Sequence, residues 1–140
     1  MSVVLKKYHF EGTDYLVGDF SGNMELFYPS QLRLLCNRRQ GIGADVFLAL
    51  VKNGNKSVLE VFSAAGELQA KTEADKQVLL RYIQEQHFLL KQTDLTDIFG
   101  SIHDWNMLDD GRFDSMEVRL TQSFIEKLRA SVNTKTEYAS

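Results

Sequence analysis

Leu35-Cys36-Asn37-Arg38-Arg39-Gln40-Gly41-Ile42-Gly43-Ala44-Asp45 closes one short helix and opens the most apolar strand of the chain. Gly41 and Gly43 permit a positive φ or close contact with a neighbouring segment. Arg38 and Arg39 put two donors at a helix C-terminus, where the dipole favours cations. The same residues also fit a plain glycine turn flanked by solvated arginines. Upstream, Pro29 and Ser30 start the helix, Ser30 able to accept from a free N–H of the first turn, and Leu32, Leu34, Leu35 and Cys36 supply apolar surface up to Asn37. Downstream, Val46 to Val51 is almost wholly apolar, as in a strand buried on both faces, and Asn53-Gly54-Asn55 turns it back into Val58 to Phe62 as an antiparallel partner.

Val3 to Tyr8 and Tyr15 to Asp19 read as strands joined by the connection His9 to Asp14, with a turn at Ser21-Gly22-Asn23. Past a break at Ala64-Ala65-Gly66, the best helix runs from Glu73 to Gln86. Thr72 is its N-cap, Asp75 stands three residues on, and Val78, Leu79, Tyr82 and Ile83 share one face. Phe88 to Lys91, Gly100 to Leu108 and Phe113 to Leu120 read as strands, the last two joined at Asp109-Asp110-Gly111-Arg112. A helical pattern covers Gln122 to Val132. Strands on both sides of a core helix give an α+β fold, a mostly antiparallel sheet wrapped around a central helix.

The length of 140 residues with 44% hydrophobic and 25% charged content suits one packed domain, taken as 1–132 with a flexible tail at 133–140. A net charge of -3, with both signs mixed along the chain, argues against nucleic acid, which needs a clustered basic surface. The single cysteine, Cys36, excludes an internal disulfide and a cysteine-based zinc cluster. Without a long apolar run or a basic-then-apolar leader, the expectation is a cytoplasmic protein with no membrane partner.

Cys36 on an apolar helix reads as a small core residue, or else a reactive thiol. His9, His87 and His103 are scattered and predict no metal site, and no cofactor motif is present. Asp14 and Asp45 sit beside turn glycines and read first as turn residues, with a functional role as the alternative. Arg81 is a solvated or ion-pairing helix residue. Trp105 is core or interface.

Three segments also carry a family pattern. Lys7-Tyr8-His9-Phe10-Glu11-Gly12-Thr13-Asp14-Tyr15-Leu16-Val17-Gly18-Asp19, then Leu35 to Asp45, then Phe62 to Ile83, follow one another in an order that resembles the N-terminal half of diaminopimelate epimerase, a cofactor-independent isomerase that moves an amino-acid α-proton. The matching positions are His9, Gly12, Asp14, Asp19, Arg38, Gly41, Gly43, Asp45, Phe62, Ala64, Gly66, Arg81 and Tyr82. The resemblance implies an epimerase-like fold whose residual ligand positions are Thr13, Asp14, Ser63, Thr72 and Glu73. It also implies motif positions Gly12, Arg38, Gly41, Gly43, Asp45 and Gly66.

It further implies a lost reaction. The family uses two cysteines, one from each half, as base and acid; the first begins the core helix in a Cys-Gly-Asn-Gly sequence, and this chain has Thr72-Glu73-Ala74-Asp75 there. A threonine hydroxyl cannot take an α-proton unaided. Thr13 and Ser63 replace two family asparagines. Glu73 and Asp75 place negative charge where the resemblance implies a substrate carboxylate at the helix start. The expectation is therefore a catalytically inactive half-protein with a binding or assembly role, partnered by a second copy or a complementary epimerase-like half-chain. The alternatives are a subunit of an active amino-acid epimerase of lysine biosynthesis, completed by a second chain, and a small-molecule sensor domain.

Overall fold

The computed structural model describes residues 3–20, 28–86, 98 and 114–132. Strand β1 (Val3–Phe10) turns directly into β2 (Thr13–Asp19), helix α1 (Pro29–Cys36) follows, and β3 (Val46–Asn53), β4 (Lys56–Ser63) and the two-residue β5 (Leu68–Gln69) come next. Helix α2 (Glu73–Gln86), β6 (Asp114–Leu120) and α3 (Gln122–Ala130) complete the described elements. The strand order is β5-β4-β3-β2-β1-β6. Every described pairing is antiparallel except β2 with β3, which run parallel because α1 carries the chain back between them. The result is a mixed α+β domain with a predominantly antiparallel sheet.

Period-two alternation sends side chains to two cores. Tyr8, Tyr15, Val17, Leu48, Leu50 and Val61 pack under Val78, Leu79, Tyr82 and Ile83 of α2, joined by Ile98. Leu5, Leu16, Phe47, Ala49, Val51 and Phe62 face α1 and α3 through Leu32, Leu35, Ile125 and Leu128. Strand β3 contributes alternately to both cores, which is why its sequence is a continuous apolar run. Between α1 and α3 the buried Gln31 donates from Nε2 to Leu128 O at 3.3 Å, so its amide is not left unpaired.

Three local expectations need correction. The connection read as His9 to Asp14 is a two-residue turn: Glu11 and Gly12 take φ values of 52° and 80°, both left-handed, and the strands continue to Phe10 and from Thr13. Such a turn matches the twist of the flanking strands, so the hairpin closes tighter than its polar composition suggests. Tyr28, not Ser30, occupies the cap position of α1, and Gln31 Oε1 accepts from the Tyr28 N–H at 3.3 Å. Strand β5 is a further element, paired with Val61 and Phe62 of β4.

The predicted N-cap of α2 is present, and β3 and β4 form the predicted hairpin. The readings at Ser21 to Asn23, at residues 87–97 and 99–113, including His87, His103, Trp105 and the turn at Asp109 to Arg112, and at the 133–140 tail lie outside the described residues. No helix among the described residues is long and apolar enough to cross a membrane.

Candidate functional site

The start of α2 is closed by its own residues. Thr72 Oγ1 accepts from the Asp75 N–H at 3.1 Å, and Asp75 Oδ2 accepts from the Thr72 N–H at 2.9 Å. This reciprocal box uses two donors of the helix start, and Asp75 is buried, 3% exposed. Glu73 adds a second carboxylate, with Lys76 Nζ at 3.5 Å. Tyr15 lies beside this end; burial first, then the Asp75 charge, raises its phenol, while a bond with Thr13 works the other way. On the α2 face Tyr15 thus has Thr13 as a bonding partner and feels the Asp75 charge. The Ser63 hydroxyl serves its own turn, accepting from the N–H groups of Ala65 at 3.2 Å and Glu67 at 3.3 Å. Gly66, with φ +83°, completes that turn.

Asp14 belongs elsewhere. Being adjacent to Thr13 on β2, it points to the opposite face, where it meets His9, its facing partner on β1. His9 Nδ1 lies 2.8 Å from Asp14 Oδ1, and Arg38 donates from Nη1 to Asp14 Oδ2 at 2.9 Å and from Nη2 to Asp45 Oδ1 at 3.1 Å. Two further bonds tie the backbone: Asp14 N–H to Asp45 Oδ2 and Asp45 N–H to Asp14 O, both at 2.9 Å. Lys7, on the same face as His9, donates from Nζ to Ile42 O at 3.3 Å. The first two sequence motifs therefore converge on one network that pins the hairpin end of β1 and β2 to the loop entering β3. Beside it lies a shallow cleft of about 160 Å³ lined by Lys7, His9, Asp14, Asp114, Ser115 and Met116.

The guanidinium of Arg38 is not used for the helix dipole as the sequence suggested. The carbonyls at the end of α1 are occupied instead by backbone donors: Gly41 N–H reaches Asn37 O at 2.9 Å, Ile42 and Gly43 N–H reach Leu35 O at 2.9 and 3.1 Å, and Ala44 N–H reaches Cys36 O at 3.1 Å. Arg38 is left to bind the two aspartates.

Bonding to His9 first, then to Arg38, holds the Asp14 carboxyl below its ordinary value of 3.8, against the opposing effect of burial. A depressed folded value means the unfolded chain binds more protons in acid. The stability from this group is thus fully present above pH 3.8 and is lost as pH falls through the folded value. Asp14→Asn should therefore flatten the acid-side decline of the urea midpoint measured between neutral pH and about pH 2. An unchanged decline would show that the network contributes nothing to acid sensitivity.

Cys36 and Arg81 have structural roles. Cys36 is buried, and burial pushes its thiol up to about 11, which makes it a core residue rather than a reactive thiol. Arg81 pairs with Glu85 one turn along α2 at 3.5 Å, and Glu85 also receives the Tyr8 hydroxyl at 2.6 Å and Lys6 Nζ at 3.3 Å. Asp114 and Met116, which line the cleft, were not singled out in the sequence. The legible signal was the pairing itself: reading Glu11-Gly12 as a two-residue turn places His9 opposite Asp14.

No protein-family model matches this sequence, and no curated protein matches it. The fold and site together define a mixed α+β domain with a capped core helix on one face and a His-Asp-Arg-Asp network on the other.

Proposed function

We propose that this chain is a non-catalytic protein related to the N-terminal half of the diaminopimelate epimerases, working by binding or assembly. The reciprocal cap at Thr72 and Asp75 is the observation that supports it most directly. A proton-transfer site at this helix start would need a thiolate base and free N–H donors for a carboxylate. This helix start offers a hydroxyl already accepting a hydrogen bond, and two carboxylates in its first turn. The hydroxyl has no basic form near neutral pH, and the carboxylates repel the carboxylate of an amino-acid substrate. The motif residues His9, Asp14, Arg38 and Asp45 bond to one another, which accounts for them as a scaffold without substrate. Assembly rests on the resemblance itself, because the two halves of that family cover surface on one another.

The test combines chemistry and association. Purified protein incubated with L,L-diaminopimelate and a panel of L-amino acids in deuterated water should show no loss of the α-proton NMR signal above the no-protein control. Thr72→Cys should stay equally silent, since Glu73 and Asp75 still repel a carboxylate. Sedimentation at micromolar concentration should show a dimer. Exchange that disappears in Cys36→Ala would overturn the inactive reading, and a clean monomer would overturn self-assembly.

A further inference from the structure

Strand β6 ends one side of the described sheet, with an open outer edge. Asp14 bonds to Asp45 through both its N–H and its C=O, so Thr13, Tyr15 and Val17 turn theirs toward β1, where Phe10, Tyr8 and Lys6 meet them. By the same alternation Leu5, Lys7 and His9 bond to β6 through Val118, Met116 and Asp114. Ser115, Glu117 and Arg119 therefore present their N–H and C=O groups outward. All three are exposed, and no strand among the described residues pairs with that side of β6.

Neither a bulge nor a proline interrupts this edge: β6 pairs with β1 residue for residue, and the chain's one proline is Pro29. Charge decides which strand it can accept. Two copies of β6 meeting antiparallel about a two-fold axis must set outward-facing residues against one another. An axis through Glu117 opposes Glu117 to itself, a repulsive pair, and one through Met116 sets Asp114 against Val118. An axis through Val118 sets Glu117 against the second copy's Arg119, and Arg119 against its Glu117, on one face; on the other, Val118 meets Val118 and Met116 meets Leu120. Within one copy Glu117 and Arg119 touch at 3.6 Å with side chains 58% and 66% exposed, so both stay open to that contact.

We propose that two copies of this chain join β6 to β6 about a two-fold axis at Val118, continuing the sheet across the interface. Glu117 N–H donates to the second copy's Arg119 C=O and Glu117 C=O accepts from that residue's N–H, and the axis repeats the exchange. This pairing consumes the edge on both copies, so the assembly stops at two. The proposal names the surface for the assembly proposed above and rests on that reading only for the existence of a dimer.

Sedimentation of the full chain and its charge variants at micromolar concentration tests this. Wild type should be a dimer, and Glu117→Arg and Arg119→Glu, both exposed substitutions, should each lose it because like charges then face across the axis. An equimolar mixture of the two should dimerise, as should the double variant Glu117→Arg/Arg119→Glu, in which every facing charge is again opposite. Val118→Cys should form an interchain disulfide with oxidised glutathione, since facing Cα atoms about 4.5 Å apart allow one and Cys36 is buried. A monomeric wild type would overturn both this proposal and self-assembly. Dimers that persist in both single variants, or a double variant that stays monomeric, would overturn this proposal alone and move assembly to another surface. Glu117 and Arg119 amides protected from hydrogen exchange in a monomer would show the edge taken by the chain's own residues 100–108, which also overturns it.

Discussion

Gly41→Ala is expected to unfold the protein or bring it close to unfolding, a larger loss than at any other glycine of the Leu35 to Asp45 loop. A Cβ built at Gly41 would lie 1.9 Å from Leu34 O and 2.7 Å from Leu35 O. Both obstacles are backbone carbonyls of α1, so no side chain can rotate aside to make room. The loop could move only by withdrawing the Gly41, Ile42, Gly43 and Ala44 N–H groups from the end of α1, stranding the carbonyls they satisfy. Overpacking costs typically about 1–3 kcal/mol where the surroundings can yield, and here they cannot, so the loss should exceed that range.

Gly43→Ala is the internal comparison. Gly43 has φ +86° but its nearest neighbours are Arg38 atoms at 3.2 and 3.3 Å, so alanine there meets mainly the left-handed penalty of about 1–2 kcal/mol. Urea unfolding followed by circular dichroism should rank wild type above Gly43→Ala above Gly41→Ala. A Gly41→Ala variant as stable as Gly43→Ala would mean that the loop has another place to go.

Phe47→Ala should destabilise by about 3–5 kcal/mol, the range for removing a fully buried phenylalanine. Phe47 is 0% exposed on β3, faces Leu16 and Phe62 on the neighbouring strands, and has the Phe20 ring 5.6 Å away centroid to centroid. Its neighbours are held by strands on both sides, so the cavity cannot collapse. Against a typical domain stability of about 5–15 kcal/mol, this removes a large share of the total. Met116→Ala and Leu68→Ala, whose side chains are 59% and 68% exposed, should stay within about 0.5 kcal/mol of wild type. The urea midpoint decides: a Phe47→Ala loss no larger than that of Met116→Ala would contradict the placement of β3 at the centre of the sheet.

Much of the described fold could be read directly from residue order. The apolar run Val46 to Val51 announced a strand buried on both faces, and Asn53-Gly54-Asn55 marked its hairpin with β4. Thr72 and Asp75 predicted the cap that closes α2, because that cap spans only three residues and needs nothing from the rest of the chain. Local patterns were missed at Glu11-Gly12, whose left-handed pair converted an open connection into a tight turn, at the Tyr28 cap of α1 and at the two-residue β5, which exists only through its pairing with β4.

Residue order alone determined most of the described strands and helices, which of their faces are apolar, and the Thr72–Asp75 box that closes α2; each rests on contacts between residues near in sequence. Tertiary structure decided what Arg38, Asp14 and Asp45 do. Arg38 reaches across 24 residues to Asp14, Gly41 is required because the loop folds back onto the carbonyls of α1, and β2 runs parallel to β3 because α1 carries the chain back between them. The energies of alternative partners for an arginine or an aspartate differ little in an extended chain, so only the packing of the sheet selects among them.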